Sequence, residues 1–565
     1  MGAMPERAPL SAAQQLAALA DNYWEDLLRL NPRLATFIGD RRFDDRLEDV
    51  GPQGRQADAT LHQRLLRSLE GIARADLDAD DAVTWDMLNL AASDHLEEQQ
   101  LRLDHIWVDQ MDGPQVWLPD LLNWHPTEST EGLDQLVARY QAFPEYMQAY
   151  LANLAEGQAQ GRTAYAAVVE RVVGQLQTLL DTPANASPLA RVALDSGKAA
   201  VAEAVRTTIY PAYAELLHYL QGDYASQART EPGLWAIPGG EEAYAFLCRK
   251  HTTTTLTPRE IHAFGEADLA NLHAEMHSLL AEIPNATADL RATAEHLFSD
   301  PAHRETDRAR MVQLAERSIA DAQAALPSML GRLPVTPCIV KPVEDFREAD
   351  SPSAFYYPPS ASGDRPGVFY VNCFLQATQP AWEMPGIAFH EAVPGHHVQI
   401  ALAQERTDLP AFRRLSSDMT AYVEGWALYT ERLADEFGLY RGPYERLAML
   451  INQAWRACRL IIDTGLHQFR WGRQRAINFL RENAFLSEAN AANEVDRYII
   501  IPGQALSYKI GQREIETARA SATTRLGSAF DLRAFHDEVL RYGPIPLSTL
   551  RQALANWNPA QEARR

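Results

Sequence analysis

Apolar and polar residues alternate with a helical period over most of this chain. Residues 11–30 place Leu16, Leu19, Ala20, Tyr23, Leu27 and Leu30 on one face, with charge between them. Residues 131–155 repeat the pattern through Leu133, Leu136, Tyr140, Met147, Tyr150 and Leu154, and residues 163–181, 196–221 and 304–332 follow it. Thr257-Pro258-Arg259-Glu260 has the order of a helix start: a capping Thr257, Pro258 in the first turn and Glu260 closing a capping box. One region departs from the helical period. Residues 335–346 and 367–374 are β-branched and aromatic, with the turn-rich FYYPPSASGDRPG between them. They predict a small sheet or a long hairpin just before residues 386–405, which read as one helix. No composition shift, repeat or low-complexity linker divides the chain. The expectation is a mainly α fold, a single helical domain over residues 1–565 with its active part at about 335–515.

Composition narrows the function classes. Apolar residues make up 46% and charged residues 22% of the 565, ordinary values for a packed chain. Against 75 Asp and Glu stand 52 Lys and Arg, a net charge of −23. So negative a surface repels phosphate backbones and anionic lipid, so neither nucleic acid nor membrane is an expected partner. Cys248, Cys338, Cys373 and Cys458 form no CxxC pair and read as free thiols. No run of 18 apolar residues exists. The start, MGAMPERAPLSAAQQ, lacks the basic and apolar regions of a secretory signal. A cytoplasmic location is expected, or a periplasmic or secreted one if a signal peptide has been removed.

Chemistry concentrates in GIAFHEAVPGHHVQIALAQE, which holds His390, Glu391, His396 and His397. In the zinc motif H-E-x-x-H, two imidazoles lie one turn apart and the Glu serves as general base. Here the position of the second His is Pro394. Six residues from His390 to His396 rotate a helix by about 600°, off the face, and seven to His397 by about 700°, in phase but about 10 Å along. Pro394-Gly395 offers the break that could return a later imidazole. His397 keeps the better phase if the extra turn loops out, and His396 competes with it. The third ligand is expected to be Glu424, in SSDMTAYVEGWALYTERLADEFG, because its neighbours are mostly apolar and a carboxylate there needs a partner. Glu431, on the same helix, reads as a solvated charge. Two imidazoles and a carboxylate leave one zinc position open, as hydrolytic sites require.

HEAVPGHHVQ, AYVEGWALYTE, DTGLHQFRW, RYIIIPGQALSYKIG and YYPPSASGDRPGVFYVN together resemble a bacterial family catalogued as a domain of unknown function and grouped with the gluzincin metallopeptidases. The likeness spans nearly the whole chain. It implies a helical metallopeptidase-like fold, related to the angiotensin-converting-enzyme, thimet oligopeptidase and Taq carboxypeptidase groups, with two helical halves around a channel. It also implies one Zn2+ per chain on His390, His397 or His396, and Glu424, with Glu391 as general base and short peptides as substrates.

A reaction of that type needs a donor to the developing oxyanion. Tyr508 is the leading candidate, with Tyr498 and Lys509 as alternatives that are otherwise expected to contact substrate, and His467 as a further donor. Arg497 and Arg459 could grip a substrate carboxylate, or pair internally with Asp496 or Asp463. Strand 367–374 could add a backbone rung to an extended peptide. The competing reading is a helical metalloprotein without peptidase activity. A di-iron bundle would need two Glu-x-x-His motifs, and Glu215-Leu-Leu-His218 has no mate near residue 390.

Overall fold

A computed structural model describes residues 10–191, 199–343, 348, 353–360, 365–374, 380–416, 419–555 and 557–559. They are mainly helical, with one three-stranded sheet. The sequence reads as a single domain, residues 1–565. Packing instead groups the chain into two compact units. The first comprises Met1–Thr230, Ile237–Gly239 and Asp408–Leu415, and the second Glu231–Ala236, Gly240–Thr407 and Ser416–Arg565.

The first unit holds α1 (Ala12–Leu30), α2 (Pro52–Glu70), α3 (Ala79–Leu101), α4 (Thr130–Ala159) and α5 (Ala166–Asp181). The boundaries of α1, α4 and α5 agree with the periodic segments 11–30, 131–155 and 163–181 to within a few residues. The apolar face of α4 carries Leu136, Tyr140, Phe143 and Met147, all fully buried. Trp117, Tyr146 and Tyr213 pack against Phe143 at ring separations of 6.1, 6.0 and 5.4 Å, an aromatic cluster within a largely aliphatic core.

The second unit holds the chemistry-bearing segment. α6 (Gly240–Thr252) precedes α7 (Pro258–Leu279), which opens on the expected capping box: Thr257 Oγ1 accepts from Glu260 N and Glu260 Oε2 from Thr257 N. After α8 (Arg308–Met329) come β1 (Cys338–Pro342), β2 (Ala354–Tyr357) and β3 (Gly367–Val371). β3 is central, parallel to β1 and antiparallel to β2. The hairpin alternative therefore fails, since parallel neighbours need a crossover. The expected rung on strand 367–374 fails too, because β3 is paired on both sides. Part of the stretch read as turn forms β2, and residues 344–346 and 361–364 of these segments lie outside the described residues.

The predicted helix 386–405 is two helices, α9 (Met384–Glu391) and α10 (His396–Glu405). α11 (Thr420–Glu436), α12 (Pro443–His467), α13 (Glu488–Ile500) and α14 (Ser507–Leu526) complete the site. α11 and α14 cross at glycine. A Cβ on Gly425 would lie 2.4 Å from Gly511 Cα, and one on Gly511 only 1.9 Å from Ala421 O. Only the absence of side chains permits that approach. It brings Glu424 and Tyr508, each within a turn of its glycine, to the same region. All four cysteines are free, and no described helix is long and apolar enough to cross a membrane.

Candidate metal centre

α9 ends one residue past His390, and the chain turns through Ala392–Gly395 before α10 begins at His396. Gly395 makes the turn possible. A Cβ there would sit 1.9 Å from His390 O and 2.5 Å from Phe389 O. This compact turn resets the helical phase and faces His396 towards His390, ring centroids 4.9 Å apart and nearly perpendicular. α11 supplies Glu424, whose Oε2 lies 3.4 Å from His390 Nε2 and 3.4 Å from His396 Nε2. The three donor atoms lie within 4.8 Å of one another.

The preference for His397 is thereby corrected. His397 points into the sheet side, where Nδ1 accepts from Tyr356 Oη at 2.9 Å and Nε2 donates to Thr336 O at 3.0 Å. Burial holds its imidazole down to about 4. The phase argument that favoured His397 took one extra turn to loop out of an otherwise regular helix, whereas α9 ends at Glu391 and a separate helix starts at His396.

The spacing fits a metal better than a hydrogen bond. Two bonds of about 2.1 Å at a tetrahedral angle set donor atoms about 3.4 Å apart. Glu424 Oε2 is buried and lacks a hydrogen-bond partner of good geometry among the described residues. Desolvation opposes its charge, but the two imidazoles outweigh it and hold the carboxyl well below the usual range. His390 is likewise penalised by burial, yet Glu424 and Glu431 raise it to about 10. The pocket thus stabilises positive charge between these groups, and two imidazole nitrogens with one carboxylate oxygen are a donor set of hydrolytic zinc.

Behind the cluster runs a buried polar chain that the sequence pattern does not reveal. Glu431, read as a solvated charge, is 1% exposed. Its Oε1 accepts from His390 Nδ1 at 2.8 Å and its Oε2 from Gln453 Nε2 at 3.2 Å. Lys509 Nζ donates to Gln453 Oε1 at 2.7 Å and to Gln512 Oε1 at 2.9 Å, and lies 3.1 Å from Asp268 Oδ2. An ammonium only donates, so Gln453 must turn its oxygen to Lys509 and its amino group to Glu431. Glu431 then accepts on both oxygens, and His390 Nδ1 must donate. Nε2 is left facing Glu424, the orientation a metal ligand needs. Lys509 is therefore a positioning group, and the substrate-binding expectation for it is corrected.

Glu391 follows His390 directly and is partly buried at the end of α9. Tyr508 is 7% exposed, its ring nearly parallel to that of His390 at 6.5 Å. Its hydroxyl accepts from Arg497 Nη2 at 3.1 Å and donates to none of the described residues. The other expected donors are otherwise engaged. His467 Nδ1 accepts from Leu234 N at 3.0 Å and Nε2 donates to Tyr498 O at 2.9 Å, so it is a satisfied core histidine. Tyr498 is fully buried, donating to Glu494 Oε2 at 2.8 Å and accepting from Arg459 Nε at 3.2 Å. Both are corrected from donor or substrate contact to scaffold. Asp496 pairs with Arg473, and Asp463 accepts from Tyr244 Oη and Gly503 N, so neither neutralises Arg459 or Arg497.

A family profile described as "Bacterial protein of unknown function (DUF885)" matches residues 32–554. The chain belongs to that family. A crystal structure of a candidate lipoprotein from Colwellia psychrerythraea superposes with a TM-score of 0.90 at 26% identity, covering 97% of this chain and 99% of that one. A candidate lipoprotein of unknown function from Shewanella oneidensis gives 0.73 at 21% identity, covering 96% and 99%. No functionally curated protein matches the chain.

Proposed function

We propose that this DUF885 chain is a zinc-dependent hydrolase of peptide bonds in short peptides, with a gluzincin-like arrangement of its second unit. The observation that carries the reading is the 3.4 Å spacing of His390 Nε2 and His396 Nε2 about Glu424 Oε2, with Glu391 adjoining the first ligand. A Zn2+ ion held there supplies Lewis acidity to a scissile carbonyl. The residues divide the remaining work. Glu391 accepts a proton from attacking water and delivers it to the leaving amine. Tyr508, with an uncommitted hydroxyl proton and Arg497 on its oxygen, donates to the oxyanion. Glu431 keeps His390 in the ligating orientation. The lipoprotein description of the Colwellia relative favours the periplasmic alternative for location.

The test is metal analysis of the purified chain together with a mixed peptide library read by mass spectrometry. One zinc per chain, cleavage by the parent and none by Glu391→Gln are the expected results. Bound zinc without any cleavage by the parent would favour the non-catalytic metalloprotein instead.

A further inference from the structure

The guanidinium groups of Arg459 and Arg497 pack against Tyr508, and Arg456 lies one turn before Arg459 on the same helix. Arg459 lies on α12 and is 2% exposed. Its Nη2 donates to Glu494 Oε2 at 3.0 Å and its Nε to Tyr498 Oη at 3.2 Å, but Nη1 is buried with no acceptor among the described residues. Arg456, one turn earlier on the same helix, donates to Asn452 Oδ1 at 3.3 Å and packs 4.4 Å over Trp455, and its Nε also has no acceptor among the described residues. Arg497 comes from α13 and is shared between Gln504 and Tyr508. Among the described residues, the carboxylate paired with this cluster is Glu494, which Arg459 and Arg497 share at 3.0 and 3.7 Å.

A buried N–H left without an acceptor loses water and gains nothing, so natural structures rarely keep one without a reason. Here the charge balance supplies the reason: Arg459 and Arg497 share one carboxylate, and Arg456 beside them makes no ion pair among the described residues. Their place supplies the direction. Arg459 Cζ packs 4.3 Å from the Tyr508 ring, and that ring lies 6.5 Å from His390. The guanidinium thus lies within about three extended residues of the His390 ring, at roughly 3.5 Å each.

We propose that Arg459 and Arg456 form a subsite for the free C-terminal carboxylate of a peptide whose scissile bond lies within three residues of that end. The assignment rests on the hydrolase reading for the word "scissile", and stands on its own as a carboxylate site. A carboxylate is acceptor-only and planar, and it matches the fork of a guanidinium in a way an amide or phenol does not. Arg497 is largely committed to Tyr508 and serves to hold that hydroxyl.

The test titrates the full chain carrying Glu391→Gln with trialanine and with trialanine amide, by calorimetry. The acid should bind about 10- to 100-fold tighter than the amide, the usual gain from charge-assisted hydrogen bonds. Adding Arg459→Gln should bring the two towards parity, and Arg459→Lys should keep part of the difference. Equal affinities for acid and amide overturn the proposal even if the arginine variants fail to fold. So does a preference that survives Arg459→Gln with an unchanged circular dichroism spectrum. A tripeptide amide ending in glutamate separates the sources of carboxylate, and its binding as tightly as trialanine would reject the C-terminal assignment. Products formed by the Glu391 parent are read separately. Acid preference without hydrolysis removes the hydrolase and keeps the subsite, whereas equal hydrolysis of acid and amide does the reverse.

Discussion

Glu431 Oε1 accepts the Nδ1 proton of His390 at 2.8 Å, from a carboxylate that is almost fully buried. Nothing else on α11 explains a buried acid at that position, and Gln453 and Lys509 complete its hydrogen bonds from behind. The pair ties the orientation of His390 to a chain of groups that lies behind the candidate metal centre. Glu431→Gln should leave the fold intact and weaken zinc binding about 10- to 100-fold, the usual effect of removing such a partner. Competition with a chromophoric chelator measures it. Unchanged affinity would show that His390 is oriented by packing alone.

The readable parts of the sequence are those where one residue type in one local pattern decides the outcome. The amphipathic helices and the Thr257 cap are legible for that reason, as are His390 and Glu424, costly groups among apolar neighbours. Glu431 is not read correctly, although a signal for it exists. It follows Glu424 by seven residues, two turns along the same helix face, and only the general rule that helix carboxylates are solvated hides it. The choice between His396 and His397 depends on a turn whose shape is set by Gly395 against the His390 carbonyl, a contact no periodicity encodes. β2 is concealed because its four residues run directly into Pro358-Pro359. The meeting of Arg459 with Arg497 at Glu494 is tertiary, between α12 and α13, and leaves no local signal.

Gly395 gives a sharp steric test. A methyl group there would meet His390 O at 1.9 Å, so the turn must open and His396 must move from Glu424. Gly395→Ala should lower stability by about 1–3 kcal/mol, the range for forced repacking, and should also lose zinc. Gly174 is the control. It sits exposed within α5, and a Cβ added there would meet nothing within 4 Å. Gly174→Ala should raise stability by about 1 kcal/mol through helix propensity, with zinc content unchanged. Thermal melts and metal analysis read both variants.

Acid should destabilise the second unit through His536. Burial holds its imidazole down to about 4, with Nδ1 donating to Met329 O at 2.8 Å and Nε2 accepting from Tyr429 Oη at 2.7 Å. The unfolded chain takes up a proton near pH 6.5 that the folded imidazole refuses until about 4. Stability is therefore complete above pH 6.5 and falls as pH drops towards 4, by at most about 3 kcal/mol at 1.36 kcal/mol per unit. His536→Gln should flatten this part of the profile while lowering stability at pH 7, because two buried groups lose their fitted partner. Thermal midpoints from pH 7 to pH 4.5 decide it, and parallel profiles for parent and variant would exclude the histidine.

The adjacent imidazoles His396 and His397 provide the most discriminating pair of substitutions. They share a helix turn, similar burial and the same chemistry, so their difference lies in what each ring nitrogen meets. His396 Nε2 faces Glu424 Oε2 at 3.4 Å, and its Nδ1 has no hydrogen-bond partner among the described residues. His397 spends both nitrogens on Tyr356 and Thr336, tying α10 to the sheet. His396→Ala removes one of three donors and should abolish zinc retention with little effect on folding, since the ring ties no other element in place. His397→Ala should retain zinc and lower stability by about 1–3 kcal/mol, because the partly buried Tyr356 hydroxyl and Thr336 carbonyl lose their partner. The two readouts move in opposite senses for the two variants. Zinc loss from His397→Ala, with zinc kept by His396→Ala, would reverse the ligand assignment and with it the role given to the Gly395 turn.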